Sequence, residues 1–283
     1  MYVPDTAFFL PAEHPASDGD GAAVLRAMPT CHGSWSTQQQ HGGVTSAVLT
    51  WVLERAARSA GLTDGHLARI AVEFLRPAPV GEIRLRASVV RPGRRVALLR
   101  AEMGDGAQTF STAQAWWRRR ASGVVPGSAR DDVEPLVAPG EVPAAGPDSD
   151  LARLLLRGYM AAVDWRPVTG HLDRPGPCTV WARPRIQLIA GEPISPTQLA
   201  MLVTDAGSAV SAVLDFRSRL FSNIDLVVSL LREPAGEWIS MRAETMIDDA
   251  GGGTTTTVLG DEKGPFGASL HTLFVAPHDS PTA

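Results

Sequence analysis

The stretch Leu75-Arg76-Pro77-Ala78-Pro79-Val80-Gly81-Glu82-Ile83-Arg84-Leu85-Arg86-Ala87 is echoed later in the same chain by Leu231-Arg232-Glu233-Pro234-Ala235-Gly236-Glu237-Trp238-Ile239-Ser240-Met241-Arg242-Ala243. The two share Leu-Arg, Pro, Gly-Glu and Arg-Ala, with one residue fewer between Arg and Gly-Glu in the second. Pro and Gly between apolar runs are turn chemistry, so each copy reads as a hairpin: one strand ends, the chain turns, the next strand begins. A repeated text of this kind marks a duplicated unit.

The surroundings repeat as well. Residues 44–60 put Val48, Val52 and Leu53 or Ala56 on one face at helical spacing, after Gly42-Gly43 and up to Gly61. In the second half, residues 196–214 read as the matching helix, with Ser195 as N-cap and Leu199, Leu202, Val203, Ala206 and Val210 inward. Strands are expected at 96–103 and 109–117 around Gly104-Asp105-Gly106, and at 254–259 and 266–275 around Gly260-Asp261-Glu262-Lys263-Gly264. Each half thus reads as a leading strand, a long helix and a four-stranded antiparallel meander. A helix wrapped by a curved antiparallel sheet is a hotdog, and the expected fold is an α+β double hotdog. A Pro-, Gly-, Ala- and acid-rich stretch sets the boundaries: residues 1–120, a linker at 121–149, and residues 150–283.

With 283 residues, 44% of them hydrophobic, the chain can build a full-sized core. The formal net charge is −4, and no basic run exceeds Arg118-Arg119-Arg120, which argues against a nucleic-acid partner. That triple arginine reads as a solvated strand end, with phosphate binding as the alternative. Met1-Tyr2-Val3-Pro4-Asp5 has no basic n-region or apolar h-region after it, and no stretch is long and apolar enough for a bilayer, so a cytoplasmic protein without a membrane partner is expected. Cys31 and Cys178 lie in opposite halves and match no metal-ligand spacing; reduced thiols, no metal and no cofactor are expected.

Further motifs run along the chain: Trp35, His41-Gly42-Gly43 and Phe74-Leu75-Arg76-Pro77 in the first half, then Trp181-Ala182-Arg183, Asp205, Phe221-Ser222-Asn223-Ile224-Asp225, Leu259-Gly260-Asp261 and His271-Thr272-Leu273-Phe274. In order and spacing the chain resembles the acyl-CoA thioesterase II-like family, in particular its actinobacterial thioesterase-like branch. The resemblance implies hydrolysis of an acyl-CoA or acyl-carrier-protein thioester by an activated water. It also implies the site: an Asp from the second helix, a Thr or Asn soon after, and a Gln on the last strand, which fall here on Asp205, Asn223 and His271, the His departing from the family Gln. Hotdog sheets commonly join further, so the family also implies a homodimer, although a tandem pair permits a monomer.

The residue types suit the chemistry. A carboxylate on an apolar helical face is costly unless it is hydrogen-bonded or beside a wet pocket, so Asp205 reads as a general base, oriented with Asn223 and His271. His41-Gly42-Gly43 opens a helix whose backbone N–H groups can receive an oxyanion; the plain reading is a tight turn. Matching the halves sets Asp205 opposite Leu49, Asn223 opposite Leu67 and His271 opposite Gln114, so one polar site per chain is expected. His32 and His171 read as surface histidines. Trp116, Trp117, Trp165 and Trp238, with Trp35 and Trp181, read as core or acyl-channel walls. Two alternatives stand beside hydrolysis. One is acid/base dehydration or cyclisation of a carrier-bound, polyketide-like chain by His271 with Asp205; the other is non-catalytic acyl-CoA binding.

Overall fold

A computed structural model describes residues 6–12, 22–121, 136–146 and 156–277. The expected linker falls largely at 122–135 and 147–149, and the expected leaderless start at 1–5; both lie outside the described residues. The elements are β1 (Ala7–Pro11), β2 (Ala23–Ala27), α1 (Gly42–Ser59), β3 (Gly65–Phe74), β4 (Glu82–Arg91), β5 (Val96–Gly104) and β6 (Thr109–Arg119). They continue with β7 (Val163–Thr169), β8 (Cys178–Pro184), β9 (Gln187–Ile189), α2 (Pro196–Thr204), α3 (Gly207–Val210), β10 (Arg219–Asn223), β11 (Asp225–Leu230), β12 (Ile239–Ile247), β13 (Gly252–Asp261) and β14 (Gly264–Pro277).

All strands join one sheet in the order β7-β8-β12-β13-β14-β11-β3-β6-β5-β4-β2-β1-β9, with β10 also on β14. From the central antiparallel pair β3 and β11, the order reads alike in both directions: β6-β5-β4-β2-β1 one way, β14-β13-β12-β8-β7 the other. Register keeps this symmetry residue by residue. Val72 pairs with Ala113 as Val228 pairs with Ser269, Ala87 with Ala101 as Ala243 with Thr257, and Leu99 with Ala115 as Thr255 with His271, always 156 positions apart. Even an irregularity repeats: β3 skips register at Ala68, and the break between β10 and β11 falls at Ile224.

Three expectations are corrected. First, the strands flanking Leu75–Ala87 are not a hairpin, because both edges of β3 are taken by β6 and β11; the meander is β4-β5-β6, and β3 joins its far side. Second, more than one leading strand precedes each helix: β1 and β2 before α1, and β7, β8 and β9 before α2. Third, the second helix is short. Ser195 caps it in a capping box with Gln198 as expected, but it stops at Thr204. There the Thr204 hydroxyl back-bonds to the Ala200 carbonyl (2.6 Å) and the Ala206 N–H reaches Val203 O, an i to i+3 bond that breaks the α-helical ladder before α3.

The helices pack on one face of the sheet in a common core, and they approach very closely. A Cβ on Gly43 would stand 2.3 Å from the Leu202 carbonyl, so only glycine lets α1 begin against α2. Cys31 and Cys178 are buried and not joined to each other, and the Cys31 thiol donates to the Phe8 carbonyl at 2.9 Å. Among the described residues no helix is long and apolar enough to cross a membrane.

Candidate active site

The helix break aims Asp205 at the start of α1. Its carboxylate is 4% exposed and presses on Gly42, where an added Cβ would lie 2.6 Å from both carboxylate oxygens. Asn223, at the end of β10, donates from Nδ2 to Asp205 Oδ1 (2.8 Å) and to the Asp205 carbonyl (3.0 Å), and its own Oδ1 accepts from Ser208 (2.8 Å). Asp205 and Asn223, 18 residues apart, are thus brought together as expected.

His41, the N-cap of α1, enters from the other half. Its Nδ1 lies 3.2 Å from Asp205 Oδ2 and accepts the Gly43 N–H at 3.0 Å. Burial pushes the imidazole down to about 3, so at neutral pH this contact is no ion pair; Nδ1 keeps its lone pair for Gly43. Burial likewise raises Asp205, opposed by the charge of His271, the Asn223 bond and the Gly43 backbone. Burial is the leading cause of both shifts, lowering the imidazole and raising the carboxyl. Tyr159 braces the pair: its ring stacks on His41 with centroids 3.9 Å apart, and its hydroxyl donates to Leu202 O at 2.8 Å.

Asp205, Asn223, His41 and Gly42 line a cavity of about 310 Å³. The Gly43 amide bonds its cap and Gly43 is absent from the lining, whereas Gly42 lines the cavity. Trp35, Phe216 and Phe221 make an aromatic wall: Trp35 stacks on Phe216 and meets Phe221 edge-on, each with centroids 5.4 Å apart.

His271 stands elsewhere than expected. It is wholly buried, absent from the lining and packed beneath Gly207, whose Cβ would sit 3.2 Å from its ring. Neither ring nitrogen has a hydrogen bond of proper geometry, although the backbones of Thr255 and Thr204 lie near enough to favour a ring proton. Burial lowers its pKa, and the charge of Asp205 pulls the other way. Its counterpart by strand register is Ala115, not Gln114, which points outward from the sheet. A one-residue slip in the matching of β6 to β14 flips every side chain to the other face.

His32 is half-buried rather than superficial, because its carbonyl holds the Tyr159 N–H at 3.0 Å; His171 is exposed. Trp117, Trp165 and Trp181 are core residues, and Trp238 lies under Arg166 and Arg183. Sequence reasoning missed His41 as the neighbour of Asp205, named Phe221 only within a motif, and missed Tyr159, Ser208 and Phe216 altogether. No spacing signals a pair drawn from opposite halves.

A family model described as the acyl-CoA thioesterase N-terminal domain matches residues 31–118, and one described as the acyl-CoA thioesterase C-terminal domain matches residues 130–275. This chain belongs to the acyl-CoA thioesterase family. Thioester hydrolysis is therefore the general chemistry of the molecule. Solved structures share the family's hotdog fold at low identity. A candidate thioesterase II from Thermobifida fusca is 17% identical over 97% of this chain and 99% of its own, with a TM-score of 0.73. A hot dog fold protein of unknown function from Alicyclobacillus acidocaldarius is 17% identical over 95% and 97%, at 0.68. The acyl-CoA thioesterase II TesB2 of Mycobacterium marinum is 13% identical over 92% and 94%, at 0.62. No curated protein matches the chain.

Proposed function

We propose that this thioesterase hydrolyses an acyl-CoA by direct attack of a water held between Asp205 and Asn223. The observation that carries the reading is the 2.8 Å bond from Asn223 Nδ2 to Asp205 Oδ1, in a cavity that Gly42 also lines. Asp205 takes a proton from the water as its oxygen bonds to the thioester carbon. The Gly42 N–H, at the positive end of α1, meets the developing oxyanion. Collapse breaks the C–S bond, the thiolate leaves and the proton follows it. His271 acts from behind, where its charge state bears on Asp205 across Gly207. The fold reading that goes with this is two tandem hotdog units, residues 1–120 and 150–283, sharing one site at the start of α1.

Release of free thiol from a panel of acyl-CoAs is the test. Asp205→Asn is expected to lower turnover by about 10²–10⁴-fold, the usual worth of a general base. Because burial raises the folded-state pKa of Asp205, its ionisation costs stability as pH climbs through that pKa; the Asn variant lacks this cost and melts higher at neutral pH. A folded Asp205→Asn protein with undiminished turnover would refute the mechanism.

A second reading is favoured by one contact. His41 and Asp205 face each other at 3.2 Å on the cavity, a pair suited to acid/base dehydration or cyclisation, with His41 in the part expected of His271. An altered acyl product without thiol release would select it.

A further inference from the structure

Two arginines occupy the same place in the two halves and are used differently. Arg76 follows β3 and Arg232 follows β11, 156 positions apart. Arg232 is locked: Nη1 and Nη2 donate to the two carboxylate oxygens of Asp261 at 2.5 and 2.8 Å, and Nη2 also donates to Gly264 O at 3.0 Å. Asp261 in turn accepts from the N–H groups of Ala235 and Lys263.

The counterpart of Asp261 is Asp105, which makes the same turn: its Oδ1 accepts from Ala107 and Gln108 N–H at 2.8 and 2.7 Å. Arg84, rather than Arg76, is the arginine whose charge acts on it. Arg76 donates instead to the Gln108 side chain at 3.1 Å, and no carboxylate lies within salt-bridge distance of it among the described residues. Its side chain is exposed, and it lines the active-site cavity, where among the described residues Asp205 is the only carboxylate and Arg76 the only arginine or lysine. The triple arginine cannot take its part: Arg119 pairs with Asp64, Arg120 with Glu233, and Arg118 donates to Leu231 O.

An arginine fork released from its internal carboxylate at the rim of an otherwise cation-free cavity is arranged to receive an external anion. We propose that Arg76 binds a phosphate of coenzyme A and so orients the carrier end of the substrate while the thioester reaches Asp205. This rests on the acyl-CoA reading above. The apolar wall of Trp35, Phe216 and Phe221 then takes the acyl side, and charge at the rim takes the carrier side.

Calorimetric titration of the full chain with coenzyme A itself, and with phosphate-free pantetheine, tests it without requiring turnover. Arg76→Ala is expected to weaken coenzyme A about tenfold, the scale of a hydrogen bond to a charged group, and to leave pantetheine unchanged. Arg76→Lys should restore part of the affinity, and the loss should shrink in high salt. Equal coenzyme A affinity in wild type and Arg76→Ala, equal losses for coenzyme A and pantetheine, or no coenzyme A binding by the wild type would each overturn the proposal. The two readings fail separately. Undiminished turnover in Asp205→Asn removes the mechanism while the titration stands; Asp205-dependent hydrolysis of a phosphate-free acyl thioester with no Arg76 effect on coenzyme A removes only the anchor.

Discussion

The two halves of this molecule share a backbone register and differ in what they place under the helix. At equivalent inward positions the first half has Val89, Leu99, Ala101, Ala113 and Ala115, and the second has Thr245, Thr255, Thr257, Ser269 and His271. The first set packs dry. The second carries a hydroxyl chain from Ser211 through Thr245 to Thr255, each step 2.8 Å, while Thr257, Ser269 and His271 have buried side-chain polar atoms without a hydrogen-bond partner. Each such atom costs about 1–3 kcal/mol of desolvation. Natural cores avoid that cost unless it serves something, and here it lies directly behind Asp205. At these register-equivalent positions one half of the sheet thus packs apolar side chains while the other carries a polar floor.

The contrast can be broken most forcefully from the dry side. Ala115→His would bury an unpartnered imidazole where an alanine is 0% exposed, and overpack it; a loss of about 2–5 kcal/mol in urea unfolding is expected. A stability loss under about 1 kcal/mol would show that the first half tolerates a polar floor and that the contrast is accidental.

Next comes the acid limb of activity. The Asn223 bond opposes the rise in the Asp205 pKa, so Asn223→Ala should carry that pKa further upward. Activity that needs the carboxylate then appears only at higher pH, and kcat falls roughly 100-fold, the scale of one preorganised donor. An acid limb that stays put, measured as kcat/KM against pH, would dissociate Asn223 from Asp205.

The smallest effect is expected at the pair Ala101 and Thr257. Thr257→Ala removes an unpartnered hydroxyl together with a buried methyl, so gain and loss offset and unfolding free energy should change by less than about 1 kcal/mol, whereas Ala101→Thr should cost about 1–3 kcal/mol. Equal responses would erase the distinction between the halves.

Much of this was legible along the chain. The repeated Leu-Arg…Gly-Glu…Arg-Ala text identified the duplication, Ser195 announced its cap, and the Gly-Asp turns placed both hairpins, because each is a local pattern set by backbone preference. Asp205 and Asn223, singled out along the chain as candidates, do meet. His271 was legible as a residue but not in its place. Strand pairing is decided by edges, and only the β13–β14 register puts it inside, opposite the dry Ala115 rather than the exposed Gln114.

By itself, then, the sequence determined that two like units exist, where their turns fall and which half carries the polar residues. Tertiary structure alone decided that β3 avoids β4, that the second helix breaks at Asp205, and that His41 and Tyr159 close on that carboxylate from elements far apart in the chain. Local periodicity sees a few residues at a time. The contact of His41 with Asp205 arises only when the glycines at the start of α1 let two helices touch, and that approach is a property of packing.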